Sequence, residues 1–299
     1  EASRAAATLP LPAHTIGLTG PPGAGKSTLL DYLVGLYRAQ GERVGVIAVD
    51  PTSPFTGGAL LGDRIRMSSH RNDAGVFIRS MGSRGASGGL ASAASDSLRV
   101  LGGVGCEIVF LETVGAGQTE TEVVNLADSV CVVQVPGLGD DIQLMKMGIL
   151  EIADVFLVNK ADRPGAQELK LQIEQALDEA SGAVCRATRQ LGKAVAAELQ
   201  LTPWRPTVLL VSGLDHTGGE QTLNALSRHR DHLTQPALAA PLKRCRIARE
   251  VVWRATRRLG DALNARLAPG GTDRTLLDAC AEGRLDLPTL IERLLGSTS

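Results

Sequence analysis

Short apolar runs recur along the first two thirds of the chain, at 14–19, 43–49, 76–80, 107–111, 129–135, 154–158 and 206–211, and most are divided by helix-length segments. A run of this kind without polar alternation suits a strand covered on both faces. The rhythm therefore predicts an α/β fold with a mainly parallel β-sheet. After Gly218 the pattern turns helical, with helices expected at about 220–235, 241–266, 272–282 and 287–295, divided by Pro236, Pro241, Pro269 and the Gly270-Gly271 pair. The expected organisation is a tail over 1–12, an α/β domain over 13–218 and a helical region over 219–299. That last region has no long apolar stripe of its own to fold around, so it is expected to dock on another surface, with dimerisation the natural outcome. Trp253 is its aromatic anchor, either in a core or at an interface.

The first turn after a strand carries Gly20-Pro21-Pro22-Gly23-Ala24-Gly25-Lys26-Ser27, which fits G-x-x-x-x-G-K-[ST] and leads into a helical run from Ser27 to Ala39. This is a P-loop in its proper strand-loop-helix setting. Its glycines let successive amides and the helix terminus face a β-phosphate. Lys26 adds charge between the β- and γ-phosphates, Ser27 offers its hydroxyl to Mg²⁺, and Thr28 is a donor for the α-phosphate.

Far downstream, Asn159-Lys160-Ala161-Asp162 follows the buried run 154–158, at the carboxyl edge where open sheets bind ligands. Asp162 can accept from guanine N1–H and its exocyclic amine. Adenine presents neither donor there, so discrimination of about a thousandfold is expected. The two motifs together predict GTP and GDP as ligands.

Between them, the loop 49–58 leaves the second strand beside the phosphates, and Asp50 and Asp63 are acids able to face Mg²⁺ directly or through water. The lesser alternative for Asp63 is to cap the next helix. The run 107–111 ends in Glu112 at a Walker-B position, followed by Gly115, whose amide can sense a γ-phosphate, and by Gln118, equally a candidate for placing water and a surface glutamine. Lys26, Glu112 and Gln118 form the catalytic set.

Composition narrows the setting. The chain has 299 residues, 43% hydrophobic and 21% charged, with formal net charge −1. That balance argues against general nucleic-acid binding, despite local basicity over 243–258. Five scattered cysteines without a C-x-x-C pair fit reduced thiols in a cytoplasmic protein. No stretch reaches the roughly 18 apolar residues that span a bilayer, so no membrane role is expected. The first residue is Glu1, not Met, so a preceding piece is expected to be absent.

The runs 20–27, 49–58, 61–64, 112–118, 136–141 (Pro-Gly-Leu-Gly-Asp-Asp) and 159–162, with Glu250-Val251-Val252-Trp253 and the closing 287–295, resemble the MeaB/ArgK family of GTPases, chaperones of adenosylcobalamin-dependent methylmalonyl-CoA mutase. The resemblance runs from about Thr15 to the C-terminus. It implies that Ser27, Asp50, Asp63 and Glu112 surround Mg²⁺, and that Asn159, Lys160 and Asp162 hold guanine with help from Ser212, Gly213 and Leu214. It further implies that the loop 136–146, with Asp140 and Lys146, is a switch that senses nucleotide and touches the mutase. The function implied is GTP hydrolysis that gates cofactor delivery to the mutase or protects it.

Two departures stand out. Ser212-Gly213 replaces the family's usual Ser-Ala, a change expected to keep the amide and loosen the loop. The helical segment that the family carries ahead of the first strand is expected to be reduced here to a few residues. A slow intrinsic rate is expected, with Arg79, Arg84 or a partner's arginine as the source of any finger. Two other readings are a metal-centre maturation GTPase and a transport-related kinase. The first wants a Cys/His site, and His229 and His232, three apart on one helix, are expected to face solvent.

Overall fold

The structure, a computed structural model, describes residues 8–50, 67–70, 72–82, 89–113, 126–137, 150–179, 191 and 203–296, with the backbone alone at 50, 68, 82, 89–92, 253 and 257. All seven expected strands form: β1 (His14–Thr19), β2 (Val44–Asp50), β3 (Val76–Gly82), β4 (Ile108–Thr113), β5 (Ser129–Gln134), β6 (Val155–Val158) and β7 (Thr207–Leu210). They make one sheet in the order β3-β2-β4-β1-β5-β6-β7, with every neighbouring pair parallel. Among the described residues the helices of eight residues or more are α1 (Lys26–Ala39), α2 (Gly89–Gly103), α3 (Ala166–Glu179), α4 (Gly219–Leu233), α5 (Pro236–Leu267), α6 (Arg274–Ala281) and α7 (Leu287–Gly296).

The lack of alternation in the strands has its cause in the two cores they serve. Along β4, Ile108 and Phe110 enter one cluster with Leu29, Leu30 and Leu33 of α1 and Leu226 of α4. Val109 and Leu111, one residue out of step, enter the other with Leu98 of α2 and Ile173 of α3. Successive side chains point to opposite faces, and each face carries helices, so both parities must be apolar. Each fully buried side chain of this size contributes about 1.5–3 kcal/mol. Because the strands are parallel, all their carboxyl ends lie on one edge, and the loops after β1 and β6 meet there beside the end of β4.

The chain divides into two compact units, Glu1–Cys245 and Arg246–Ser299, and the division falls inside α5. The helical break expected at Pro241 does not occur, for α5 begins at Pro236 and runs through Pro241 to Leu267. Pro236 supplies a fitting first residue, and Pro241 forfeits one bond near the helix start that the remaining turns outweigh. In the second unit Asp286 caps α7 through Thr289 N–H (2.9 Å) and Thr289 Oγ1–H (2.7 Å), and Leu290 and Leu294 are buried. Leu287, Ile291 and Leu295, four residues apart in turn, stay substantially exposed on the same helix. Among the described residues no helix is long and apolar enough to cross a membrane, and the described cysteines are free.

Candidate nucleotide site

The phosphate loop is built where β1 passes into α1. Gly20 has φ 141°, and a Cβ there would lie 2.2 Å from the Val133 carbonyl oxygen. Gly25, at φ 80°, caps α1, and a Cβ on it would meet Asn159 Nδ2 at 2.7 Å. No other residue type fits either place without moving a neighbouring strand or loop.

Lys26 is buried, and its ammonium donates to the carbonyls of Gly20 (2.7 Å) and Pro21 (3.0 Å). The Ser27 hydroxyl donates to Glu112 Oε1 at 2.7 Å, with both residues buried. A hydroxyl and a carboxylate side by side at the mouth of the loop are hard oxygen donors, and they suit Mg²⁺. Thr28 stands exposed at the start of α1.

The base-side loops are tied to this one. Asn159, buried at the end of β6, donates from Nδ2 to the Ala24 carbonyl (2.8 Å) and accepts from Gly213 N–H (3.2 Å). Lys160 takes the left-handed conformation, φ 58°, and its ammonium reaches the Gly23 carbonyl at 2.9 Å. Asp162 is exposed beside them, and its carboxylate takes no hydrogen bond or ion pair among the described residues. Ser212 Oγ donates to Asp215 Oδ2 (2.8 Å) and accepts from Asp215 N–H, while the Ser212 and Thr217 backbones pair. This folds 212–217 into a tight loop with Leu214 exposed on it.

The structure thus brings Gly20 to Thr28, Glu112, Asn159, Lys160, Asp162 and Ser212 to Leu214 to one edge. Asp50 closes β2 two strands from β1 on that same edge, described by its backbone alone. Asp63, Gln118, Asp140, Lys146 and Arg84 lie outside the described residues. Arg79 is exposed in mid-β3, three strand spacings or about 14 Å from β1.

The sequence reading missed a second polar cluster at the opposite edge. His229 was expected to face solvent, yet it is 1% exposed. Its Nδ1 lies 2.6 Å from Ser129 Oγ, which is 2.7 Å from His14 Nε2, and its Nε2 is 3.4 Å from Asp154 Oδ1. Asp154 Oδ2 accepts from Val130 N–H at 2.8 Å, and Trp204 Nε1–H donates to the Asp154 carbonyl at 2.9 Å. Ser129 Oγ is thus within hydrogen-bond distance of both rings, with one hydroxyl proton to give and lone pairs to accept, and which ring takes which role follows from the tautomers of His14 and His229. Burial pushes the His14 pKa down to about 4; His229 and Arg230 act in the same direction, while Asp128 and Asp154 oppose it. The available signal was positional: His14, Ser129 and Asp154 stand at the amino ends of three adjacent strands.

Against known proteins, the sequence model of the family described as methylmalonyl Co-A mutase-associated GTPase MeaB matches residues 6–268. A putative GTPase of Pyrococcus abyssi is 48% identical over 239 residues, 80% of this chain and 69% of that protein. The mitochondrial methylmalonic aciduria type A homolog of Mus musculus is 40% identical over 147 residues, 49% of this chain and 35% of that one. Among solved structures, the crystal structure of LAO/AO transport system kinase superposes with TM-score 0.59 at 26% identity, covering 99% of this chain and 85% of the other.

Proposed function

The chain belongs to the MeaB family and is a GTPase, and from that premise we propose that it is the nucleotide-driven chaperone of an adenosylcobalamin-dependent acyl-CoA mutase of the methylmalonyl-CoA type, acting in the cytoplasm. The partner is supported by the family's description. The switch is supported by one structural observation: Asn159 joins the phosphate loop, through Ala24, to the 212–217 loop, through Gly213. A nucleotide bridging these loops is gripped at both ends by one hydrogen-bonded body.

In this reading Asp162 selects guanine. Lys26 leaves the Gly20 and Pro21 carbonyls to meet the β- and γ-phosphates, which form stronger charge-assisted bonds than carbonyls do. Ser27 and Glu112, with Asp50 and Asp63, would hold Mg²⁺, which when bound neutralises charge on the phosphate oxygens. Gln118 orients the attacking water, and inorganic phosphate and GDP are the products. Asp140 and Lys146 carry the state of the nucleotide to the mutase.

A homodimer is proposed through the exposed apolar positions Leu287, Ile291 and Leu295 of α7 and Ile247 and Val251 of α5, and a solution mass of twice 31.3 kDa tests it. The functional test is steady-state GTPase activity with saturating mutase. Stimulation of the wild type, reduced in Lys146→Ala without a change in GDP affinity, is expected. Equal stimulation of both would remove Lys146 from the coupling, and no stimulation by any such mutase would remove the chaperone role.

A further inference from the structure

The 212–219 segment does more than lie near the phosphate loop: it is seated on the outer face of α1. A Cβ at Gly213 would fall 2.8 Å from both Leu29 Cα and Leu29 N and 3.1 Å from the Thr28 carbonyl carbon. Those are backbone atoms of a helix and cannot yield. The Gly213 substitution expected to loosen the loop therefore does the reverse, because it allows a closer approach than alanine permits. Two turns further along the seam, a Cβ at Gly219 would collide with Leu36 Cδ1 at 2.4 Å and with the Tyr32 ring.

Between these two close approaches stands one aromatic pair. Tyr32 of α1 and His216 stack with ring centroids 4.6 Å apart and planes 4° from parallel. The Tyr32 hydroxyl also donates to the His216 carbonyl at 2.7 Å. His216 holds a left-handed backbone, φ 54°, which a non-glycine residue adopts at a cost unless neighbours fix it. Here the stack and the hydroxyl bond fix it.

We propose that Tyr32 and His216 are positioning residues for base recognition: they pin the 212–217 loop to the phosphate loop's own helix, and so set where Gly213 and Leu214 meet the guanine. Neither side chain touches the base or the phosphates in this account. The inference rests on the guanine reading of the site, and the experiment separates the two. Affinities for GDP and ADP are measured by competition against a fluorescent nucleotide, with the full chain, in the wild type, Tyr32→Phe, Tyr32→Ala, His216→Gly and the double variant Tyr32→Ala/His216→Gly.

Loss of a stack and a hydrogen bond corresponds to about a tenfold rise in Kd for GDP in Tyr32→Ala, and Tyr32→Phe, which keeps the ring, falls between it and the wild type. His216→Gly keeps the backbone accessible and loses the stack, so it too weakens GDP. The double variant is no weaker than Tyr32→Ala, since both changes remove one contact. The Kd for ADP stays constant throughout, which a general loss of fold would not allow. Wild-type GDP affinity in Tyr32→Ala, or parallel weakening of GDP and ADP, overturns the positioning role. Equal affinity of the wild type for GDP and ADP overturns the guanine reading itself.

Discussion

The two edges of this sheet bury polar groups in different ways. At the carboxyl edge, Lys26 rests on two carbonyls of its own loop and Ser27 rests on Glu112, arrangements in which stronger partners can replace the present ones. At the amino edge, His14, Ser129, His229 and Asp154 form a buried polar chain that is closed within the protein, with Trp204 packed against His229 at 4.8 Å between ring centroids. One edge is built to exchange its bonds and the other to keep them. Parallel topology makes that division possible, because it places the carboxyl ends of the strands at one edge and their amino ends at the other.

The largest effect that would break this comparison is at the exchanging edge. Lys26→Ala should lower single-turnover GTP hydrolysis by about a hundredfold or more, as loss of a fixed charge at a transferring phosphoryl group does, while the melting temperature changes little. A variant that hydrolyses GTP at the wild-type rate would mean that the ammonium belongs to the loop and not to the substrate.

The converse change is at the other edge. Asp154→Ala strands the buried Val130 N–H and removes the carboxylate facing His229, a loss of about 3 kcal/mol. For a unit of this size that is a fall of roughly 6–12 °C in Tm. The affinity of the folded protein for GDP should stay at its wild-type value. Weaker GDP binding at unchanged Tm would show that this edge also serves the ligand.

A smaller and more specific effect comes from His14. Its pKa is about 4 in the folded chain against an ordinary value of 6.5, so the unfolded chain binds the proton more readily. The stability tied to the neutral ring is complete above pH 6.5 and is lost as the pH falls through 6.5 toward 4, by about 3 kcal/mol in all. Chemical denaturation over that range should show a shallower decline in His14→Gln, whose amide can still donate to Ser129. An unchanged decline would mean that His14 is not the titrating group.

Much of the exchanging edge was legible in the sequence because its chemistry is local. Gly20 to Ser27 are consecutive, and Asn159 to Asp162 follow a strand that apolar residues reveal. The strands were legible for a related reason: two covered faces leave no polar parity. The keeping edge was not legible, since His14 and His229 meet Ser129 across 115 and 100 residues of chain. On its own helix His229 shares the buried face with Ala225 and Leu226, four and three residues before it, so its partners, not its burial, were what the sequence hid. Tyr32 and Gly213 escaped in the same way, one lying unremarked in the helical run 27–39 and the other read as a loosening substitution. The continuity of α5 through Pro241 was hidden because a proline marks a break only when it falls deep in a helix.

Asp162 is proposed to select guanine at the exchanging edge, and competitive titration of GDP, xanthosine diphosphate and ADP on the wild type and Asp162→Asn tests that selection. The wild type should bind GDP and discriminate against the other two by about a thousandfold. In Asp162→Asn the amide can donate where xanthine has a carbonyl, so GDP should weaken and xanthosine diphosphate should become the preferred ligand. A variant that keeps its preference for GDP, with no gain for xanthosine diphosphate, would contradict the assignment.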